Sequence, residues 1–259
     1  MRFILKLILC CFILTSCHQS DENTLLIGTI SGPETDLVRT AANVAQTKFG
    51  LKIKIIEFND YNLPNEALNE GSLDANIYQH LPYLEMAKKM RHYAIVPLGK
   101  TFLYPMGIYS KRHAHMTDLP DGATIAIPND PSNEARALLL LEKAKYITLA
   151  TKNTSSLHDI SENPHHFEFK PMDAAQLPRI LPDVDAAIIN TTFALPAGLS
   201  PTHDALLLEG TDSPYVNLMV IRENSTKRKK LDLFLQAFHS NEVKNHAYQI
   251  FKDAAIPAW

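Results

Sequence analysis

The chain predicts an α/β fold, and three features carry that reading. Thr24–Ile30 (TLLIGTI) is an apolar run of the kind shown by a strand buried on both faces. Leu37, Val38, Ala41, Ala42, Val44, Ala45 and Phe49 then recur at the spacing of one helix face. Leu51–Phe58 (LKIKIIEF) alternates apolar and charged residues and returns as a second strand. Strand, helix and strand within about 35 residues form a βαβ unit, hence a parallel sheet with a right-handed crossover.

Composition agrees. Of 259 residues, 46% are hydrophobic and 20% charged, which is the balance of a packed globular protein and not of a disordered one. Nine glycines rule out a collagen-like or linker protein. The formal charge is −3, and no stretch combines dense Lys and Arg with aromatics, so no nucleic-acid partner is expected.

Residues 1–17 (MRFILKLILCCFILTSC) stand apart from the fold. Arg2 and Lys6 precede an unbroken apolar run, Leu7–Leu14. That run is far shorter than the roughly 20 residues of a membrane span but fits the core of a secretory signal. It ends in Leu14-Thr15-Ser16-Cys17, which resembles the bacterial lipobox and implies cleavage before Cys17 and lipidation of its thiol. Residues 1–16 are therefore read as a signal peptide and 17–23 as a lipidated, patternless polar tether. An ordinary signal peptide with an incidental cysteine is the other reading. Cys10, Cys11 and Cys17 all lie in this segment, so the body has no thiol for a disulfide or a nucleophile.

Along the body, Gly50 supplies the stop of the first helix. Leu81–Met90 has helical periodicity, while Ala94–Leu98 and Phe102–Tyr109 read as strands. Ala123–Ile127 is a short apolar strand, and Asp130-Pro131 is an N-cap and first-turn pair opening a helix over Ser132–Lys145. Strands follow at Phe167–Lys170, Ala186–Ile189, Leu206–Glu209 and Val216–Arg222, then helices at Lys227–Phe238 and Val243–Phe251. The polar stretches Tyr109–Asp118 and Gly210–Tyr215 are the candidate hinges. Crossing there would give one lobe of 24–113 with 208–259 and an inserted lobe of 114–207.

No GxSxG, Walker-type loop, GxGxxG or CxxC occurs, which counts against an enzyme. Three segments place polar and aromatic residues at strand ends, where open α/β sheets bind ligands. In the first, Tyr61, Tyr78, His80 and Tyr83 either wall a slot for an apolar side chain or are simply core. In the second, Asn133 and Arg136 lie three apart on the opening turns of a helix, as a carboxylate site or as a surface ion pair. In the third, Asn190 and Asn217 adjoin apolar strands and either receive an ammonium group or serve local turn chemistry. His113 with His115, and His165 with His166, lack a third ligand at a diagnostic distance, so no metal is expected. Lys227–Lys230 is a solvated helix start or a contact for acidic headgroups or a partner.

Taken together, FNDYNLPNEAL (58–68), DANIYQHLPYL (74–84), TFLYPMGIYS (101–110), IPNDPSNEARALLLLEK (127–143), IINTTFA (188–194) and SPYVNL (213–218) closely resemble the methionine-binding lipoprotein family (the MetQ or NlpA group), the substrate-binding components of bacterial methionine ABC importers. The resemblance runs from the lipobox to Trp259. It implies a two-lobed, type II periplasmic-binding-protein-like fold with two crossover segments. It also implies a monomer without a cofactor, held in the bacterial cell envelope by a lipid on Cys17 and facing the periplasm. Its partners would be L-methionine, or a close analogue, and a permease with its ATPase. By the same resemblance Tyr61, Tyr78, His80 and Tyr83 surround the thioether, Arg136 with Asn133 holds the carboxylate, and Asn190 and Asn217 hold the ammonium end. A polarizable aromatic slot suits methionine sulfur. The chain departs from the usual pattern at Tyr78, often Phe, at Glu134 beside the expected carboxylate site, and in the loop Ser31–Glu34. Other solutes (D-methionine, methionine sulfoxide, a short peptide) and an adhesive or structural lipoprotein are the alternatives.

Overall fold

A computed structural model describes residues 23–151 and 156–259 of the chain. The predicted signal peptide, Cys17 and the tether up to residue 22 lie outside the described residues.

The N-terminal βαβ unit forms as read. β1 (Thr24–Ile30) leads into α1 (Pro33–Phe49), which ends on Gly50 in the left-handed region at φ 66°, and β2 (Lys52–Phe58) pairs parallel with β1. α2 (Leu63–Asn69) then precedes β3 (Ala75–His80), also parallel to β1 and buried along its whole length. α3 (Leu81–Arg91) follows without a loop because the His80 ring caps it, Nδ1 accepting from Tyr83 N at 3.2 Å. β4 (Ile95–Leu103) joins two segments that the pattern suggested separately.

The predicted strand Phe102–Tyr109 is split. Pro105 has no N–H for a ladder, so β4 ends at Leu103 and β5 (Gly107–Tyr109) begins a second sheet. The chain thus leaves the first sheet at Tyr104–Met106, ahead of the polar stretch that suggested a crossing. The second sheet takes β6 (Thr124–Pro128), α4 (Pro131–Lys143), the small ladder of β7 (Thr148–Leu149) with β8 (Ile160–Glu162) at its side, β9 (Glu168–Met172), α5 (Leu177–Ile180), β10 (Ala186–Ile189), α6 (Thr191–Ala194), α7 (Pro201–Asp204) and β11 (Leu207–Leu208). β6 pairs parallel with both β9 and β10. The chain returns through Glu209–Tyr215 to β12 (Val216–Arg222), α8 (Arg228–Phe238), α9 (Asn241–Phe251) and β13 (Ile256–Pro257). The first sheet runs β13-β4-β12-β3-β1-β2 and the second β11-β5-β10-β6-β9.

Each sheet is covered on both faces. Leu37 and Val38 of α1, Phe234 and Phe238 of α8 and Val243 of α9 pack with Leu25, Ile27 and Phe102 on one face of the first sheet. Leu68, Leu84 and Val220 fill the other. Phe102, Phe234 and Phe238 are each 0% exposed, and burying each contributes about 2–3 kcal/mol. In the second sheet Leu138 and Leu141 pack on Ile125, Ile127 and Ile188, while Leu177 and Leu181 pack on Ala187 and Ile189. Among the described residues no helix is long and apolar enough to cross a membrane. Lys227, in the basic run, is tied into the fold: its Nζ donates to Thr24 O at 3.1 Å and to Asp74 Oδ2 at 2.9 Å.

Candidate functional site

The carboxyl ends of the parallel strands of both sheets meet. β2 is followed by Tyr61 and β3 ends at His80; β6 leads into Asp130 and α4, and β10 ends before Asn190. Between them lies a cleft of about 350 Å³, space open to solvent included, lined by all eight residues read from the sequence: Tyr61, Tyr78, His80, Tyr83, Asn133, Arg136, Asn190 and Asn217. Gln79, Tyr104, Thr191 and Thr192 complete the lining. These four and Tyr215 were not singled out as ligand contacts. All five nevertheless stand inside the sequence blocks that carry the family resemblance, which was the available signal.

The aromatic wall is built from three tyrosines and Phe193. Tyr61 lies 5.8 Å from Tyr78, 6.0 Å from Tyr83 and 4.9 Å from Phe193, centroid to centroid. Tyr78 and Tyr83 both donate their hydroxyls to Tyr61 O, at 3.1 and 2.8 Å. The polar ends of these two rings are therefore spent on backbone, and ring surface is what they leave for a ligand. Burial raises all three phenols above their ordinary pKa, so they stay neutral hydrogen-bonding groups.

A polar chain fixes the opposite wall. Asp130 caps α4, its Oδ1 accepting from Asn133 N at 2.9 Å, and both its carboxylate oxygens accept from Asn133 Nδ2 at 3.1 and 2.9 Å. Asn133 Oδ1 in turn accepts from Asn190 Nδ2 at 2.9 Å and faces His80 Nε2 at 3.3 Å. With Nδ1 accepting the Tyr83 amide, the His80 proton sits on Nε2 and is donated to Asn133. Burial, and then Arg136, push the His80 pKa down to about 3, so the ring is neutral. This link ties the first sheet to the second. It also consumes the Asn190 amide hydrogens on one side and leaves the buried Asn190 Oδ1 without a partner among the described residues. Asn217 stands directly opposite His80 in the β12–β3 register, which brings its amide to the same cavity.

Arg136 is 4% exposed, but its fork is not the open carboxylate cradle that the helix-terminus argument suggests. Nε donates to Glu209 Oε1 at 3.0 Å, and Nη2 donates to Glu209 Oε2 and to Tyr104 O, the latter at 2.9 Å. The guanidinium also lies over the Tyr215 ring at 4.6 Å. Only Nη1 makes no hydrogen bond among the described residues. Glu209 is held by Met106 N at 3.0 Å and Ser213 Oγ at 2.9 Å, so Arg136 is braced by both segments that connect the sheets. Glu134, expected beside the carboxylate site, instead turns away and accepts from Leu157 N at 3.1 Å.

Glu34, which the sequence reading missed, stands directly behind the cavity lining, against Asn217 and Tyr104. It lies in the first turn of α1, is 2% exposed, and its Oε1 accepts from Asn217 Nδ2 at 3.4 Å. Its Oε2 has no partner among the described residues, and the Tyr104 hydroxyl lies against it without completing a hydrogen bond. Burial pushes its carboxyl up to about 8.

Among the described residues no three His, Cys, Asp or Glu side chains converge to hold a metal. His113 faces Asp185 at 3.4 Å, and His165 faces Asp121 at 3.3 Å and stacks on Phe167.

The NlpA lipoprotein family model matches residues 25–259. A protein of Salmonella typhi named D-methionine-binding lipoprotein MetQ is 43% identical, covering 95% of this chain and 93% of its own. Among solved structures, an ABC transporter periplasmic substrate-binding protein from Coxiella burnetii is 54% identical with a TM-score of 0.88, covering 90% of this chain and all of its own. A nutrient-binding protein from Burkholderia cenocepacia bound to methionine is 46% identical with a TM-score of 0.87, covering 91% of this chain and all of its own.

Proposed function

The chain belongs to the NlpA lipoprotein family, and on that premise we propose that it captures L-methionine between two lobes and delivers it to an ABC importer, a permease with its ATPase. It is a binding protein and not an enzyme. The observation that carries the ligand reading is the convergence of the aromatic wall, Arg136, Asn190 and Asn217 on one cavity between the sheets. The thioether would lie among Tyr61, Tyr78, His80 and Tyr83, whose ring surfaces suit a polarizable sulfur. The carboxylate would meet Arg136 at Nη1, steadied by Asn133, and the ammonium would meet Asn190 Oδ1 and Asn217.

In this reading the sheets are the cores of two lobes. The crossings fall at Tyr104–Met106 and Glu209–Tyr215, which moves the boundaries read at 113/114 and 207/208 outward to the ends of the second sheet. Cleavage before Cys17 and lipidation of its thiol would hold a monomer at a membrane of the cell envelope, facing the periplasm. Ligand shifts the open and closed forms only if its contacts differ between them, and a site built from both sheets meets that requirement.

A thermal-shift panel of L-methionine, D-methionine, methionine sulfoxide, other amino acids and methionine dipeptides tests the ligand. The largest rise in Tm is expected with L-methionine. No shift with any form of methionine would overturn the assignment.

A further inference from the structure

Glu34 is where the site holds a charge problem. A carboxyl 2% exposed carries a large desolvation penalty when ionised unless a cation meets it. The cation of the cavity wall, Arg136, is engaged by Glu209. The groups facing Glu34 are the Asn217 amide, the Tyr104 hydroxyl and, within electrostatic reach, the Tyr61 phenol, none of them positively charged. Asn217 and Tyr104 both line the cavity.

The chain makes a deliberate turn to put it there. Gly32 has φ 132°, a conformation that L side chains rarely adopt, and a Cβ on it would stand 3.2 Å from Pro196 Cγ. The Ser31–Pro33 turn thus packs against the segment after α6 and delivers Glu34 to the junction of the two sheets. Two buried acceptors there, Glu34 Oε2 and Asn190 Oδ1, accept no hydrogen bond among the described residues, and the group beside the first is the neutral Tyr104 hydroxyl. A group with several N–H donors and a positive charge supplies what both lack.

We infer that Glu34 is the counter-ion for the ligand's ammonium group, so that the site selects a zwitterionic amino acid over the same carboxylate without an amine. This rests on the substrate-binding reading above. With no cation beside it the acid is held largely neutral near pH 7. An ammonium favours its ionised form, and the proton leaves to solvent on binding.

Calorimetry on the detergent-solubilised full chain tests this with L-methionine and with 4-(methylsulfanyl)butanoate, its analogue without the amine. The variant is Glu34→Gln, which keeps the shape and can reproduce the hydrogen bonds of a neutral acid, so a merely structural role would be rescued. The wild type should prefer methionine strongly. Glu34→Gln should lose about tenfold to a hundredfold of methionine affinity, the range of a charge-assisted hydrogen bond, with the analogue's affinity little changed. In buffers of different ionisation enthalpy, the wild type at pH 7 should release close to one proton per methionine, falling as the pH passes about 8. Unchanged affinity and preference in Glu34→Gln, or no proton release by the wild type, would overturn the inference while leaving methionine binding in place. If the variant does not fold, proton release by the wild type decides. A wild type that binds neither compound removes the substrate-binding reading and this inference with it.

Discussion

Glu209 holds Arg136 along one edge of the guanidinium, through Nε and Nη2, and leaves Nη1 as the nitrogen without a hydrogen-bond partner among the described residues. The pair joins α4 to the segment that returns the chain to the first sheet, and Arg136 Nη2 reaches Tyr104 O in the other connection. A ligand carboxylate on Nη1 would therefore meet an arginine already fixed in orientation, at little further cost in side-chain entropy.

That arrangement predicts the behaviour of Glu209→Gln. Removing one charge of a nearly buried pair leaves Arg136 uncompensated, which costs on the order of 3 kcal/mol. Urea unfolding without ligand should show a lowered midpoint with an unchanged m-value. A midpoint equal to that of the wild type would mean that the pair contributes nothing to stability.

Arg136→Ala should abolish measurable methionine binding in calorimetry. Glu209 keeps its hydrogen bonds from Met106 N and Ser213 Oγ, so the variant should retain native secondary structure by circular dichroism. Retained affinity would remove Arg136 from the carboxylate site.

Tyr78→Phe should change methionine affinity by no more than about tenfold. The hydroxyl is spent on Tyr61 O, which still accepts from Tyr83, and one such bond is worth roughly 0.5–1.5 kcal/mol. Complete loss of binding would show that the hydroxyl touches the ligand.

Stability without ligand should depend on pH through two buried groups with opposite signs of shift. The folded pKa of Glu34 is raised to about 8, so its contribution is present below the unfolded carboxyl value of 4.5 and is lost as pH rises through about 8. The folded pKa of His80 is depressed from 6.5 to about 3, so the unfolded chain takes up a proton first and stability falls as pH drops below 6.5. Urea midpoints from pH 5 to 9 should fall toward the alkaline end in the wild type and fall less in Glu34→Gln. Parallel profiles would contradict the Glu34 assignment.

Much of this was readable in the chain because it rests on local pattern. Thr24–Ile30, Ala186–Ile189 and Val216–Arg222 form strands with the bounds that their apolar runs suggest. The Asp130-Pro131 start of α4 follows from capping chemistry alone. Where one residue overrides the pattern, the reading slips: Pro105 interrupts an otherwise continuous apolar stretch and sends the chain to the second sheet. Strands of two or three residues, such as Thr148–Leu149 and Ile256–Pro257, are too short for a periodicity to register.

The partners of the charged groups were not readable. Glu34 looks like any acid in a first helical turn, and it is buried against distant groups, among them Asn217, 183 residues away. Glu209 lies 73 residues from Arg136 in a stretch that read as strand end and hinge. Arg136 lines the cavity, while its geometry depends on a contact that no local spacing encodes.

The central claim is tested most directly by titrating L-methionine into protein stripped of carried-over ligand by unfolding and refolding, with heat measured at two temperatures. Saturable 1:1 binding is expected, with a dissociation constant near or below micromolar, about −8 kcal/mol or stronger. Correctly refolded protein that gives no saturable heat at either temperature would contradict it.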